Sequence, residues 1–178
     1  ENVVRFFGDD IHPGDVILTN DPYMGGQHLP DVQTFLPVFA DDEMVAIVGT
    51  LGHHLDIGGM RPGSYAGDAV EIYQEGLRMP PIKLIEAGIP NHRLFALIEA
   101  NIRQPEKTLG DLRAQMAALE IGRGGVLELV RHYGISTFKA CAEDAITASE
   151  GRMRARLGEI PAGTYRAEYF IDDDGVVD

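Results

Sequence analysis

Apolar residues follow two periods along this chain, and the change between them falls near residue 90. Before it, short apolar runs rich in Val, Ile and Phe alternate with Gly, Pro and Asp punctuation, as strands and turns do. "DVILTN" (15–20) reads as a strand after the turn "HPGD", and "DVQTFLPVF" (31–39) and "EMVAIVGTL" (43–51) read as two more, joined by "ADD". So short a connector predicts an antiparallel hairpin, and the apolar character of both runs predicts burial on both faces. Residues 52–90 carry Gly and Pro too often for regular elements, apart from a brief strand near 82–85. A loop this long in a compact domain covers or builds a site.

After residue 90 the apolar period lengthens to that of a helix. Asn91 is placed to cap a helix with Leu94, Leu97 and Ile98 on one face. Thr108 and Asp111 resemble a capping box for a second helix with a stripe of Leu109, Leu112, Met116 and Leu119. That helix is expected to run to Gly134, although Gly122, Gly124 and Gly125 weaken it. Ser136 can cap a third helix reaching about Leu157, and "GTYRAEYFIDDDG" returns to strand and turn. The expected fold class is therefore α+β. An antiparallel β portion (about 1–90) with long loops precedes a helical portion (about 91–158) and a final strand.

At 178 residues and 44% hydrophobic content, the expectation is one soluble domain, residues 1–178. No apolar run approaches a membrane span and no signal peptide opens the chain, so a cytoplasmic location is expected. An opening at Glu1 and a close in "FIDDDGVVD" lead us to expect a fragment of a longer chain. The lone Cys141, among alanines, is expected to pack as a small hydrophobe. A net charge of −13 argues against nucleic acid and anionic membranes as partners. Residues 1–90 hold 14 acidic and 4 basic side chains and the remainder 14 and 11, so the excess lies in the β half.

That half also holds the candidate chemistry, in "NDPYMGGQHLPD" (20–31) and "GHHLD" (52–56). A hairpin turning at Asp41–Asp42 pairs residues whose numbers sum to 83 or 84, which sets Asp31 opposite Gly52 or His53. His28, three residues earlier, lies off the same end. Two imidazoles and a carboxylate there make a mixed N/O set suited to Mn²⁺, Zn²⁺ or Fe²⁺. Leu29-Pro30 favours extended backbone, and Gly25 and Gly26 allow the chain close to the site. His53 and His54 point to opposite faces of a regular strand, so only one is expected as a ligand. His54 and Asp56 are then candidates for proton transfer or for orienting a ligand, as are Asn20 and Asp21. Turn and cap hydrogen bonds compete as an account of Asp21 and Asp31. His12, His92 and His132 are read as structural. In the long loop, Glu75, Arg78 and Arg61 can contact substrate or cross-link loops.

"GDVILTNDPYMGGQHLPDVQTFLPVF", "GHHLDIGGMRPGS", "EIYQEGLRMPP", "NIRQPEKTLGDLRAQ" and "IPAGTYRAEYFIDDDG" together resemble the hydantoinase B/oxoprolinase family, in order and over nearly the whole chain. The resemblance implies the B component of an ATP-dependent cyclic-amide hydrolase. A hydantoinase A-like partner holds ATP and phosphorylates the substrate, and the B part completes the reaction. It also implies a metal, manganese in the acetone carboxylase relatives, at positions matching His28, Asp31 and His53. His54 and Asp56 are then expected as catalytic residues, with Glu75 and Arg78 as substrate contacts. The alternatives are an acetone carboxylase-type alpha subunit, a non-catalytic assembly component and a stand-alone metallohydrolase.

Overall fold

The computed structural model describes residues 1–170. The elements in order are helix α1 (Asn2–Phe7), strands β1 (Val16–Thr19), β2 (Asp31–Ala40), β3 (Glu43–His53), β4 (Ile82–Glu86) and β5 (Ile89–Pro90), and helices α2 (His92–Asn101), α3 (Pro105–Tyr133) and α4 (Ile135–Gly158). The strands form one antiparallel sheet in the order β3-β2-β1-β4-β5. The α+β class and the β-then-α order are as the sequence indicated. By its contacts the chain divides into two compact units, Glu1–Lys139 and Ala140–Asp178.

The β2–β3 hairpin turns at Asp41 and Asp42, both with positive φ (49° and 64°), the pattern of a type I′ turn matched to strand twist. Partners sum to 83 next to the turn (Phe39↔Met44) and, past an irregularity between Val38 and Phe39, to 84. Asp31 thereby faces His53.

One sheet face packs against the helices. Leu18, Val32, Leu84, Leu94, Ile98 and Leu112 belong to the larger core cluster, and Val16, Leu36, Val38 and Leu119 to a smaller one beneath α3. Burying a Leu or Ile at such positions contributes about 2 kcal/mol each. Gly122 makes this contact possible, because a Cβ there would stand 2.6 Å from Val48 Cγ1. The glycines of α3 therefore sit inside a continuous helix, where tertiary packing outweighs their weak propensity.

Several expectations are corrected. β3 is not buried on both faces: it is an edge strand, and Ile47, Leu51 and His53 on its outer face are exposed or nearly so. Thr108 caps nothing. Helix α3 begins at Pro105, whose missing N–H costs nothing at a first turn, and Thr108 inside it donates to the Asp56 carbonyl. Leu97 is exposed, while Leu94 and Ile98 are buried and the Asn91 side chain accepts from Leu94 N–H. Cys141 is exposed rather than packed, and no residue of α4 is buried. Residues 164–170 pair with no strand, and the rest of the expected final strand lies outside the described residues. Among the described residues, no helix is long and apolar enough to cross a membrane.

Candidate metal centre

The C-terminal ends of β1 and β3 and the start of β2 meet at one end of the sheet. The loop 20–30 leaves β1 there and is stitched down by Asn20, which is fully buried. Its Nδ2 donates to the carbonyls of Leu29 and Leu77, and its Oδ1 accepts from Met79 N–H. Asp21 accepts from Tyr23 N–H, starting a short 3₁₀ turn (Pro22–Met24). Gly26 then passes so close that a Cβ would lie 3.0 Å from the Asp21 carbonyl oxygen. Leu29, fully buried, anchors the loop's return.

Those constraints bring His28 back over the end of β2. Its Nδ1 lies 2.7 Å from Asp31 Oδ2, and its ring centroid 5.0 Å from that of His53. One ligand atom from each of His28, Asp31 and His53 lies within 4.8 Å of the others. The Asp31 side chain is buried while His53 is exposed and His28 partly so. Three N/O donors on one side with solvent on the other are the arrangement that could hold a divalent ion with positions left open.

Two clefts border His28. One, of about 300 Å³, is lined by His28, Pro30, Ser64, Tyr65 and Glu75 among others. The other, of about 490 Å³, is lined by Tyr23, Gln27, His28, Glu71 and Glu75 among others. Glu75 lines both clefts, whereas Glu71 lines the second alone and is engaged as a cap for the 3₁₀ turn Ile72–Gln74.

The other candidate residues are placed elsewhere. The strand period sends His54 to the opposite face from His53. It is buried, with Nε2 2.9 Å from Gln115 Oε1. Asp56, also buried, accepts from Gly58 N–H, Gly63 N–H and both the backbone and Nη1 of Arg103, and from no histidine. Burial pushes its carboxyl pKa up, but these donors outweigh burial and hold it below the usual carboxylate value. Asp56 therefore organises the loop 56–64 and is not the hydrogen-bond acceptor of a ligand histidine. Arg78 is paired with Asp21 at 2.9 Å and stacked on Tyr23, and it lines a separate pocket with Tyr73 and Pro80. Arg61 pairs with Asp68. His12 lies in its turn beside Asp15, and His92 and His132 are exposed.

Arg103 and Gln115 went unnoticed in the sequence. Arg103 donates to the carbonyls of Gly58, Gly59 and Arg61 as well as to Asp56, shaping the loop that leads to the cleft wall at Ser64 and Tyr65. Both lie in the helical half, about 50 to 60 residues from their partners, and no local pattern marks them.

The chain is 41% identical over 165 residues to a Pseudomonas sp. (strain NS671) protein named as a candidate D-/L-hydantoinase B component, covering 92% of this chain and 28% of that one. It is 39% identical to the beta chain of the caprolactamase of Pseudomonas jessenii, covering 97% and 30%. The crystal structure of the ATP-dependent caprolactamase from that organism superposes with a TM-score of 0.93, again over 97% of this chain and 30% of that one. A nucleotide-free acetone carboxylase, 23% identical over 78% of this chain and 19% of its own, shares the fold with a TM-score of 0.72. The chain thus spans less than a third of the length of these relatives. The family model for hydantoinase B/oxoprolinase matches residues 1–178, and the chain belongs to that family.

Proposed function

We propose that this chain forms the metal-bearing part of the B component of an ATP-dependent cyclic-amide hydrolase. The observation that carries the reading is the meeting of His28, Asp31 and His53, with His28 also lining two clefts. The hydantoinase and caprolactamase relatives, each named as one component of an assembly, support a hetero-oligomer with an A-type partner, and the ATP-dependent caprolactamase supports the substrate class. In this reading the A-type partner binds ATP, and the ATP-dependent caprolactamase relative supports an ATP-using assembly.

An amide carbonyl is a poor electrophile, and phosphorylation of its oxygen by the partner would activate its carbon toward water. The ring would then open by breaking the C–N bond, with the nitrogen taking up a proton, and phosphate would leave as a second water hydrolyses the acyl phosphate. His28, Asp31 and His53 would hold Mn²⁺ or Zn²⁺, and such an ion lowers the pKa of a coordinated water so that hydroxide is available near neutral pH. Glu75, facing the cleft beside His28, would accept a hydrogen bond from the amide N–H or take up a proton. Arg78 would act at one remove by holding Tyr23 at the cleft's edge.

Elemental analysis and turnover assays on the full-length protein with its partner test this. Near-stoichiometric metal and ATP-dependent ring opening are expected in the wild type, with both lost in His28→Ala and His53→Ala while the complex still forms. Wild-type protein that takes up neither Mn²⁺ nor Zn²⁺ overturns the metal role. Full turnover without ATP or partner would instead identify a stand-alone hydrolase.

A further inference from the structure

The candidate ligands lie on one face of the hairpin, and the residues beside them lie on the other, toward α3. Asp31 and His53 are cross-strand partners on the face away from the helices, and the next pair along, Val32 and Gly52, points at α3. One side chain of α3 reaches both strands there. Gln115 Nε2 donates to the Val32 carbonyl at 2.9 Å and to Thr50 Oγ1 at 3.3 Å, and its Oε1 faces His54 Nε2 at 2.9 Å. Val32 is the residue after Asp31, and His54 is the residue after His53. The strand ends are closed further by His54 N–H donating to the Pro30 carbonyl at 2.8 Å, on the other side of Asp31.

Gln115 and His54 are both buried. Gly52 is what lets the amide lie flat on the sheet, since a Cβ there would stand 3.1 Å from Gln115 Cδ. The donor arm of the amide is fixed by Val32, which leaves the carbonyl arm for His54. His54 therefore donates from Nε2, and its ring acts as a strut between α3 and the strand end rather than as a group in the cleft.

We propose that Gln115 is a positioning residue for the His28/Asp31/His53 site, setting the separation of Asp31 and His53 by tying the residue after each, Val32 through its carbonyl and His54 through its ring, to helix α3. The proposal rests on the metal reading given above. A three-ligand site is sensitive to such spacing, because a ligand displaced by a few tenths of an ångström must be drawn back at the expense of binding. Partners that orient metal ligands from behind change affinity by roughly tenfold or more.

The test is Mn²⁺ affinity, by equilibrium dialysis of the metal-stripped full-length protein with its partner, beside the melting temperature of the metal-free form. Gln115→Met keeps the volume and removes both arms. It is expected to weaken Mn²⁺ binding about tenfold. Leu119→Ala, one helical turn away beneath the same sheet, removes packing without touching the amide. It is expected to lower the metal-free melting temperature at least as much as Gln115→Met while leaving the affinity within about twofold. Gly52→Ala, which displaces the amide, should resemble Gln115→Met. Wild-type affinity in Gln115→Met overturns the positioning role, as does an equal loss in Leu119→Ala, since packing alone would then account for it. Mn²⁺ binding of wild-type affinity in His53→Ala overturns the site itself, a result separable from both.

Discussion

The sequence carries His-x-x-Asp with a proline inside the spacer twice, at "HPGD" (12–15) and at "HLPD" (28–31). The two stretches reach different ends. Asp15 is fully buried, and its carboxylate accepts from His12 N–H at 2.8 Å and Ala87 N–H at 2.8 Å, with the buried Lys83 ammonium at 3.2 Å. His12 stands half-exposed, 3.9 Å from that carboxylate. Among the described residues, Asp31 meets no lysine or arginine. Its carboxylate is met by His28, and the residue across the hairpin is a second histidine. What separates a turn staple from a candidate ligand set is therefore the long-range partner: Lys83 from β4 in one case, His53 from β3 in the other.

The largest expected effects come from removing each carboxylate in turn. Asp31→Asn should abolish metal binding and ATP-dependent turnover of the full-length protein while the melting temperature of the metal-free form changes little. Asp15→Asn should do the reverse, leaving metal content at the wild-type level. It strands a buried lysine against one exposed aspartate, Asp10, and costs about 3 kcal/mol by urea unfolding. If the Asp15 variant lost metal with its fold intact, the two stretches would be coupled and the contrast between them would fail.

The way Asp31 reaches His53 was legible because a hairpin's register is fixed by its turn, and a period of two then decides every facing residue. Only the irregularity between Val38 and Phe39, which moves the sum from 83 to 84, selects His53 over Gly52. The opposed directions of His53 and His54 followed from the same period. Lys83, Arg103 and Gln115 were not legible. Each meets its carboxylate or imidazole across 47 to 73 residues, a distance at which only the folded chain sets the pairing. The exposed outer face of β3 was missed for a related reason, since apolar side chains on an edge strand look the same in sequence as those on a central one.

Acid should discriminate the two stretches next. Burial raises the Asp15 carboxyl pKa, but the N–H groups of Ala87 and His12 and the Lys83 ammonium outweigh it and hold the group below its ordinary 3.8. A carboxyl with a depressed folded pKa adds stability that is fully present above the unfolded value and is lost as pH falls through the folded one. Asp56, held down by the Gly58 and Gly63 N–H groups and Arg103, adds in the same direction. Urea midpoints followed from about pH 6 to about pH 3 should therefore fall most steeply below roughly pH 4, and less steeply in Asp15→Asn. Equal steepness in the two proteins would mean that Asp15 is no better bound in the folded chain than in the unfolded one.

The smallest expected effect is the most pointed. Lys83→His places an imidazole where the "HPGD" stretch now has an ammonium, and so supplies a second histidine of the kind that "HLPD" has in His53. If histidine number alone made a ligand set, the full-length variant would take up additional Mn²⁺ or Zn²⁺. It should not, because both Asp15 oxygens already accept backbone hydrogen bonds, Oδ2 from His12 and Oδ1 from Ala87, whereas the Asp31 carboxylate meets His28 at the solvent-facing end of the hairpin. Coordination would have to break those bonds inside the fold, at roughly 1–3 kcal/mol for each N–H left unsatisfied. Elemental analysis after metal loading reads the outcome: an unchanged metal-to-protein ratio places the difference in the availability of the carboxylate, and a ratio raised by one would return it to the count of histidines.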